Sequence, residues 1–226
     1  MFGIFKKEKT ENQELKTKKP QKVDIYNVNI EDYILFGEND LTELKEEYFG
    51  VKSLNIFEKE NKTDNYLFCT STKNKQILID NFSEKEHIYV YHEIQYEENI
   101  QELISHDKED NFLKFLDTEV PDPNSFTFNP NSVQNEDDLW LIKGRNYYIQ
   151  NKGVMYLHTT TNKNYSVKDN AGIAHMLYVF QTEDREYRMI VIFDENGNTK
   201  FYTGRRIEPY NICLLYTSDA ADEHGC

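Results

Sequence analysis

Alternating hydrophobic and polar positions are the clearest pattern in this chain, and they predict β-strands. The best example is the segment 87–96, in which every second residue falls on one largely apolar face. Successive side chains of a strand point to opposite sides, so this alternation is typical of a strand with one buried face. That face consists of Ile88, Val90, His92, Ile94 and Tyr96. Three further strand-like runs precede it, at residues 53–57, 65–72 and 76–80.

The second part of the chain has the pattern of an antiparallel meander of short strands. The strongest turn between them is at Asn196-Gly197, because both residues tolerate the positive φ of a tight hairpin. Another turn is predicted at residues 151–153, a short polar stretch that ends in Gly153. The predicted strands are residues 139–142, 146–150, 154–160, 174–181, 186–194 and 199–204.

Helical spacing appears in two places in the first part of the chain. Asp40 and Glu43 have the spacing of a capping box, and Gly50 is a suitable C-terminal stop, which together predict a short helix. Apolar residues within 97–116 are also helically spaced. We therefore expect an α+β fold, mostly antiparallel β-sheet with one or two short helices in the first half.

Changes in composition divide the chain into five segments. Pro121 and Pro123 interrupt regular structure, because proline lacks the amide donor and restricts the residue before it. The region 23–120 is predicted as α+β and 139–212 as a β meander, which either shares one core with 23–120 or forms its own. The other segments are a flexible basic arm at 1–22, an acidic Pro- and Asn-rich loop or linker at 121–138, and a tail at 213–226.

The tail, residues 213–226, does not resemble the rest of the chain. Residues 213–223 resemble a translated sequencing-library transposase adapter, with ten consecutive residues, from Cys213 to Asp222, agreeing. Segments of this kind belong outside fold reasoning. The expectation is an artefactual tail and a coding sequence truncated near Ile212.

Charge and length narrow the class of protein. The 226 residues include 26 Lys and Arg against 40 Asp and Glu, a net charge of −14. Removing the tail leaves 37 acidic residues and a net charge of −11, with Cys69 as the remaining cysteine. The acidic balance argues against nucleic acid as a partner, since phosphate binding needs clustered Lys and Arg. One cysteine cannot form an internal disulfide, so a cytoplasmic protein is expected.

The basic arm gives at most a peripheral contact with a membrane. Met1–Phe5 is a short apolar patch, and seven lysines follow it before residue 23. Such a segment is attracted to anionic lipid, but so few apolar residues bind a bilayer marginally. The alternative is a frayed start followed by a solvated linker.

Sequence motifs for catalysis are missing, which leaves the question of an enzyme open and leans against one. The chain contains no phosphate-binding glycine loop, no HExxH, no paired CxxC and no Gly-x-Ser-x-Gly. No cofactor is expected. The candidates for a metal site are His92, His158 and His175, because separate strands can bring distant histidines together. The alternative for each is an ordinary core or half-exposed histidine.

Four short runs are similar to the YjfK-like family of bacterial proteins, which has no assigned activity. They are residues 138–148, 155–158, 174–178 and 187–191, and the resemblance covers residues 138–212. Relatives in that family occur beside membrane-stress proteins of the phage-shock type. The resemblance implies a bacterial cytoplasmic protein that works near the inner membrane, and it carries over no site residues.

The resulting leading hypothesis is a non-enzymatic accessory or protein-binding module with an unidentified protein partner, linked to membrane stress. One alternative is an acidic immunity or inhibitor protein that neutralises a basic toxin through acidic runs such as Glu43–Glu47 and Glu136–Asp138. The other alternative is a metal-dependent enzyme.

Overall fold

The computed structural model describes most strands of the protein and few of its connections. The described residues are 28–37, 44, 47–59, 62–84, 87–94, 114, 116, 125–127, 146–162, 164–209 and 212–215. A 3-10 helix at Val167–Asp169 lies between two of the strands. The strands are β1 (Tyr33–Phe36), β2 (Tyr48–Lys59), β3 (Lys62–Ser71), β4 (Gln76–Glu84), β5 (His87–Ile94), β6 (Ser125–Thr127), β7 (Asn146–Thr160), β8 (Ile173–Thr182), β9 (Tyr187–Phe193), β10 (Thr199–Ile207) and β11 (Ile212–Leu215).

Eight of these strands close into an antiparallel barrel in the order β2-β3-β4-β5-β10-β9-β8-β7. The ring closes where residues 54–58 of β2 pair with residues 156–160 of β7. The first residues of β2 pair with β1 instead, and β1 in turn pairs with β11. A register shift between Val51 and Ser53 marks the point along β2 where its pairing changes. Such an irregularity bends a strand, so one strand can serve both neighbours.

The expectation of an α+β fold is wrong, because the described structure is almost entirely β. The predicted helix ending at Gly50 is overturned at its C-terminal end, since Gly50 lies inside β2 and pairs with Tyr33. Long-range sheet pairing has overridden the local capping pattern there. Within 97–116, only Lys114 and Leu116 are described, and both have helical backbone.

The predicted turn at residues 151–153 is also wrong. One continuous strand, β7, runs through it with a register shift between Ile149 and Asn151 and with Gly153 at a φ of 152°. The extra residue of this bulge is Gln150, and residues 151–153 pair regularly with β8, so no turn forms there. The Asn196-Gly197 hairpin is confirmed, with the Asp194 amide donating to the Asn198 carbonyl over 3.0 Å and Gly197 at a φ of 81°.

Much of the barrel wall is buried on both of its faces. The inner face carries a core with contributions from all eight strands, including Tyr66, Tyr91 and Tyr202. Outside, Ile34 and Phe36 of β1 belong to an apolar cluster that also contains residues of β3, β4 and β5. A second outer cluster includes Leu116 and residues of β8, β9 and β10. In β5, the predicted apolar face is therefore an outer face, and the tyrosines opposite point inward.

Several predicted segments fall largely outside the described residues. These are the basic arm at 1–22, the predicted strand at 139–142 and the acidic loop at 121–138, in which only β6 is described. The predicted junction near Ile212 coincides with the first residue of β11, which pairs with β1. A membrane-crossing helix is absent from the described part of the chain, since none there combines sufficient length with sufficient apolar character.

Candidate functional site

A cavity of about 370 Å³ opens at one end of the barrel, which we call the mouth. The mouth is the end at which the β3–β4 and β9–β10 hairpins turn. Its lining comes from all eight barrel strands and from the β9–β10 turn. The lining residues are Ser53, Asn55, Phe57, Phe68, Gln76, Leu78, Glu93, Leu157, Thr159, His175, Ile192, Asp194, Asn198, Lys200 and Tyr202.

The floor of this cavity is apolar and aromatic. Phe57, Leu78 and Ile192 are buried members of the inner core, and Phe68 packs against the same core. The Phe57 ring meets Tyr66 edge to face, with ring centroids 5.6 Å apart, which fixes the floor from below. Alternation along each strand places these side chains inside the barrel. A ligand that entered would therefore exchange water for hydrocarbon and aromatic surface.

The rim of the cavity is polar, and Glu93 is one of its charged groups. Glu93 is opposite Tyr202 in the β5–β10 register, and the Tyr202 hydroxyl donates to Glu93 Oε2 over 3.3 Å. Burial, followed by the negative charge of Glu93, raises the pKa of Tyr202. The hydroxyl therefore stays protonated at neutral pH and orients the carboxylate.

A second rim carboxylate, Asp194, accepts hydrogen bonds within the β9–β10 turn. Its Oδ1 accepts from the amides of Asn196 and Asn198 at 2.8 Å each, and its Oδ2 accepts from Asn198 Nδ2 at 2.7 Å. The side-chain hydrogen bond from Asn198 is the main cause that lowers the pKa of Asp194, with the two amides adding to it. Asp194 is therefore ionised at neutral pH and fixes one edge of the mouth.

The opposite end of the barrel interior, which we call the base, carries a buried ion pair. Arg188 Nη1 lies 3.1 Å from Asp80 Oδ2, and the two side chains are 8% and 2% exposed. The Arg188 guanidinium also stacks over the Tyr89 ring at 4.0 Å. The Tyr89 hydroxyl donates to the Arg185 carbonyl over 2.6 Å and accepts from Gln181 Nε2 over 2.7 Å. Buried charge is tolerated here because it is paired and hydrogen-bonded.

A single glycine makes room for one of the tyrosines near the base. Gly204 of β10 is directly opposite Tyr91 of β5, and an added Cβ would lie only 2.3 Å from Tyr91 Cδ1. Any larger residue would collide with the ring at this position. Gly204 therefore lets Tyr91 fill the barrel below the cavity.

The three histidines predicted as metal ligands lie in different environments. His175 lines the mouth cavity, and its Nδ1 is 2.9 Å from the Ile173 carbonyl. His158 is buried on the outer face of β7, with Nδ1 2.7 Å from the Tyr165 hydroxyl and Nε2 3.2 Å from Glu58 Oε2. His92 is exposed on the outer face of β5.

The structure does not bring these histidines together. Among the residues it describes, no group of three or more His, Cys, Asp and Glu side chains is arranged to bind a metal ion. The metal site stays a prediction.

Glu93 and Tyr202 were not predicted as site residues from the sequence. The alternation of β5 shows which face carries Glu93, because Glu93 is on the same side as Tyr89 and Tyr91. The alternation alone does not indicate that this side faces a barrel interior.

Comparison with known proteins found no matching family model, no matching curated protein and no matching solved structure. The resemblance to the YjfK-like family and the resemblance of the tail to an adapter stay predictions.

Proposed function

We propose that this protein is a non-enzymatic binding module that takes up a small amphipathic molecule in the mouth of its barrel. The observation that supports this is the contrast within the cavity, an apolar and aromatic floor beneath a rim of amides, hydroxyls and charged groups. Ligand sites are typically concave and mostly apolar, with a few placed polar groups. Eight-stranded barrels are wide enough to bind one small ligand when side chains do not fill them completely.

The size of the cavity limits the ligand. At about 370 Å³, it is near the lower end of the range of about 300 to 1,000 Å³ that is usual for small-molecule sites. A compound that buries about 200 Å² of apolar surface gains about 5 kcal/mol at 25 cal/mol per Å². Association costs offset part of this gain. We therefore expect fragment-sized aromatic compounds to bind weakly, with dissociation constants of about a millimolar or above.

The proposal concerns binding, and the earlier hypotheses about function stay predictions. A protein partner in a bacterial cytoplasm, neutralisation of a basic toxin and metal-dependent catalysis each rest on the sequence. The buried ion pair at the base has no part in the proposed site, because Asp80 and Arg188 lie outside the cavity lining.

The test is a titration of the full chain with 2-phenylethanol, followed by amide chemical shifts in an NMR spectrum. Saturable shifts concentrated at cavity residues would support the proposal. Shifts that do not saturate, or that appear equally on the outer face, would contradict it.

A pair of variants on one strand provides the control. Thr159 lines the cavity on β7, so Thr159→Trp should fill the mouth and abolish binding. Val154 is on the outer face of the same strand and 54% exposed, so Val154→Trp should bind like the parent. Thermal unfolding of both variants shows that each is folded. Equal binding by the two folded variants would count against the cavity.

A further inference from the structure

We propose that the molecule bound in the mouth carries a protonated amine, which pairs with the Glu93 carboxylate. This inference rests on the proposed function and adds the charge and the orientation of the ligand.

The charged groups of the lining favour a cation. Among the described lining residues, Glu93 and Asp194 are acidic and Lys200 is basic, so carboxylates outnumber ammonium groups. Lys200 is exposed at the rim, where water solvates its charge, whereas Glu93 is half-buried beside the aromatic floor. Electrostatic attraction is stronger where water is partly excluded. The inner part of the cavity is therefore the negative part.

Glu93 and Asp194 differ in how many further hydrogen bonds they can accept. Asp194 already receives three hydrogen bonds from the β9–β10 turn. Glu93 Oε2 receives one, from the Tyr202 hydroxyl. A carboxylate has about four acceptor positions, so Glu93 retains capacity for an ammonium group. The Tyr202 hydroxyl fixes the direction in which that capacity points.

The aromatic walls add to the preference for a cation. Tyr202 is both the hydrogen-bond donor to Glu93 and part of the lining, and Phe68 lines the same cavity. An ammonium group near an aromatic face is attracted to the negative charge of its π system. A neutral head group lacks this attraction, and an anionic one is repelled by the same π face. The geometry therefore favours an aryl or alkyl amine with its apolar end on the floor.

The experiment compares three compounds that share a phenyl ring and differ in charge. They are 2-phenylethylamine, 2-phenylethanol and 3-phenylpropionate, titrated into the full chain at pH 7 and low salt by calorimetry. We expect the amine to bind about fivefold more tightly than the alcohol, and the carboxylate to bind most weakly. The advantage of the amine should shrink at 0.5 M salt, because salt screens partly exposed charge pairs. Equal affinities, or tightest binding by the carboxylate, would overturn the inference.

Two variants locate the effect. Glu93→Gln should lower the affinity for the amine to that of the alcohol and leave the alcohol unchanged. Glu195→Gln makes the same change in charge on the exposed β9–β10 turn, outside the lining, and should leave all three affinities unchanged. A Glu93→Gln variant no different from Glu195→Gln would refute the role of Glu93. Since the compound series uses the unaltered protein, the test does not depend on whether a variant folds.

The outcomes separate this inference from the proposed function. If the alcohol binds in the mouth but the amine has no advantage, the cavity is a ligand site and the inference is wrong. If none of the three compounds binds, the proposed function is wrong and the inference falls with it.

Discussion

Charged side chains at the mouth of the barrel and at its base differ in how far the protein itself supplies their partners. At the base, Asp80 and Arg188 are buried and form an ion pair, with Tyr89 stacked on the guanidinium. At the mouth, Glu93 accepts one hydrogen bond from the described residues, and its remaining acceptor positions are available to a ligand. Groups that are closed off from water must find partners within the fold, whereas groups at an opening can leave theirs to solvent or ligand. We therefore expect stability to depend mainly on the base and binding to depend on the mouth.

The largest effect is expected from breaking the ion pair at the base. Arg188→Met leaves the Asp80 carboxylate buried without its cation, which typically costs about 3 to 5 kcal/mol. Urea unfolding of the variant measures this loss. The double variant Asp80→Asn with Arg188→Met removes both charges and should lose clearly less. A single variant that is as stable as the double variant would show that the pair is not the source of stability at the base.

A smaller loss is expected from adding one methyl group near the base. Gly204→Ala places its Cβ against the Tyr91 ring and should destabilise the protein by about 1 to 3 kcal/mol through overpacking. Gly50→Ala is the matched control, since it is also a strand glycine but its nearest contact would be 3.4 Å away, at the Tyr33 ring. If both substitutions cost the same in urea unfolding, the space at Gly204 is not the cause.

Two carboxylates, one near each end of the barrel, should make contributions to stability that change with pH in opposite directions. Burial, followed by the negative charge of Asp80, raises the pKa of Asp64 near the base. Its contribution to stability is greatest below the pKa of the unfolded chain and is lost as the pH rises through the folded pKa. Asp64→Asn should therefore be more stable than the parent at pH 7, with the advantage disappearing below about pH 4.

At the mouth, the pKa of Asp194 is lowered, so its contribution is present above the unfolded pKa and is lost as the pH falls through the folded pKa. Asp194→Asn should therefore be less stable than the parent at pH 7 and approach it in acid. Thermal unfolding between pH 3 and 8 tests both variants, and shifts of the same sign would contradict the comparison.

The smallest effect on stability is expected at the rim. Asn55 is half-exposed and accepts a hydrogen bond from the Thr159 hydroxyl at 3.0 Å. Asn55→Ala should cost less than about 1 kcal/mol in urea unfolding, because water can replace that hydrogen bond. A cost as large as that of Gly204→Ala would mean that the mouth is as important for stability as the base.

The sequence predicted local structure well where one strand or one turn was enough. The alternation of β5 and the hairpin at Asn196-Gly197 are both confirmed, because each depends on neighbouring residues. Gly50 shows the limit, since its surroundings favour a helix end and only pairing with Tyr33 makes it part of a strand.

The candidate site could not be predicted from the sequence for the same reason. Glu93 and Tyr202 are 109 positions apart and meet only because β5 pairs with β10. Of the residues singled out from the sequence, His175 alone lines the cavity. Nothing in the spacing of residues indicates which strands close a barrel.

The strand order has a consequence for how the protein assembles. Strands β2 to β5 form one meander of neighbouring strands, and β7 to β10 form another. The two meanders join along only two seams, β5 with β10 and β2 with β7, and both seams connect distant parts of the chain. Contacts of this kind have a high contact order and form slowly, on a scale of about milliseconds to seconds. Hairpins should therefore form first and the seams last, so the cavity exists only once the final seam has closed.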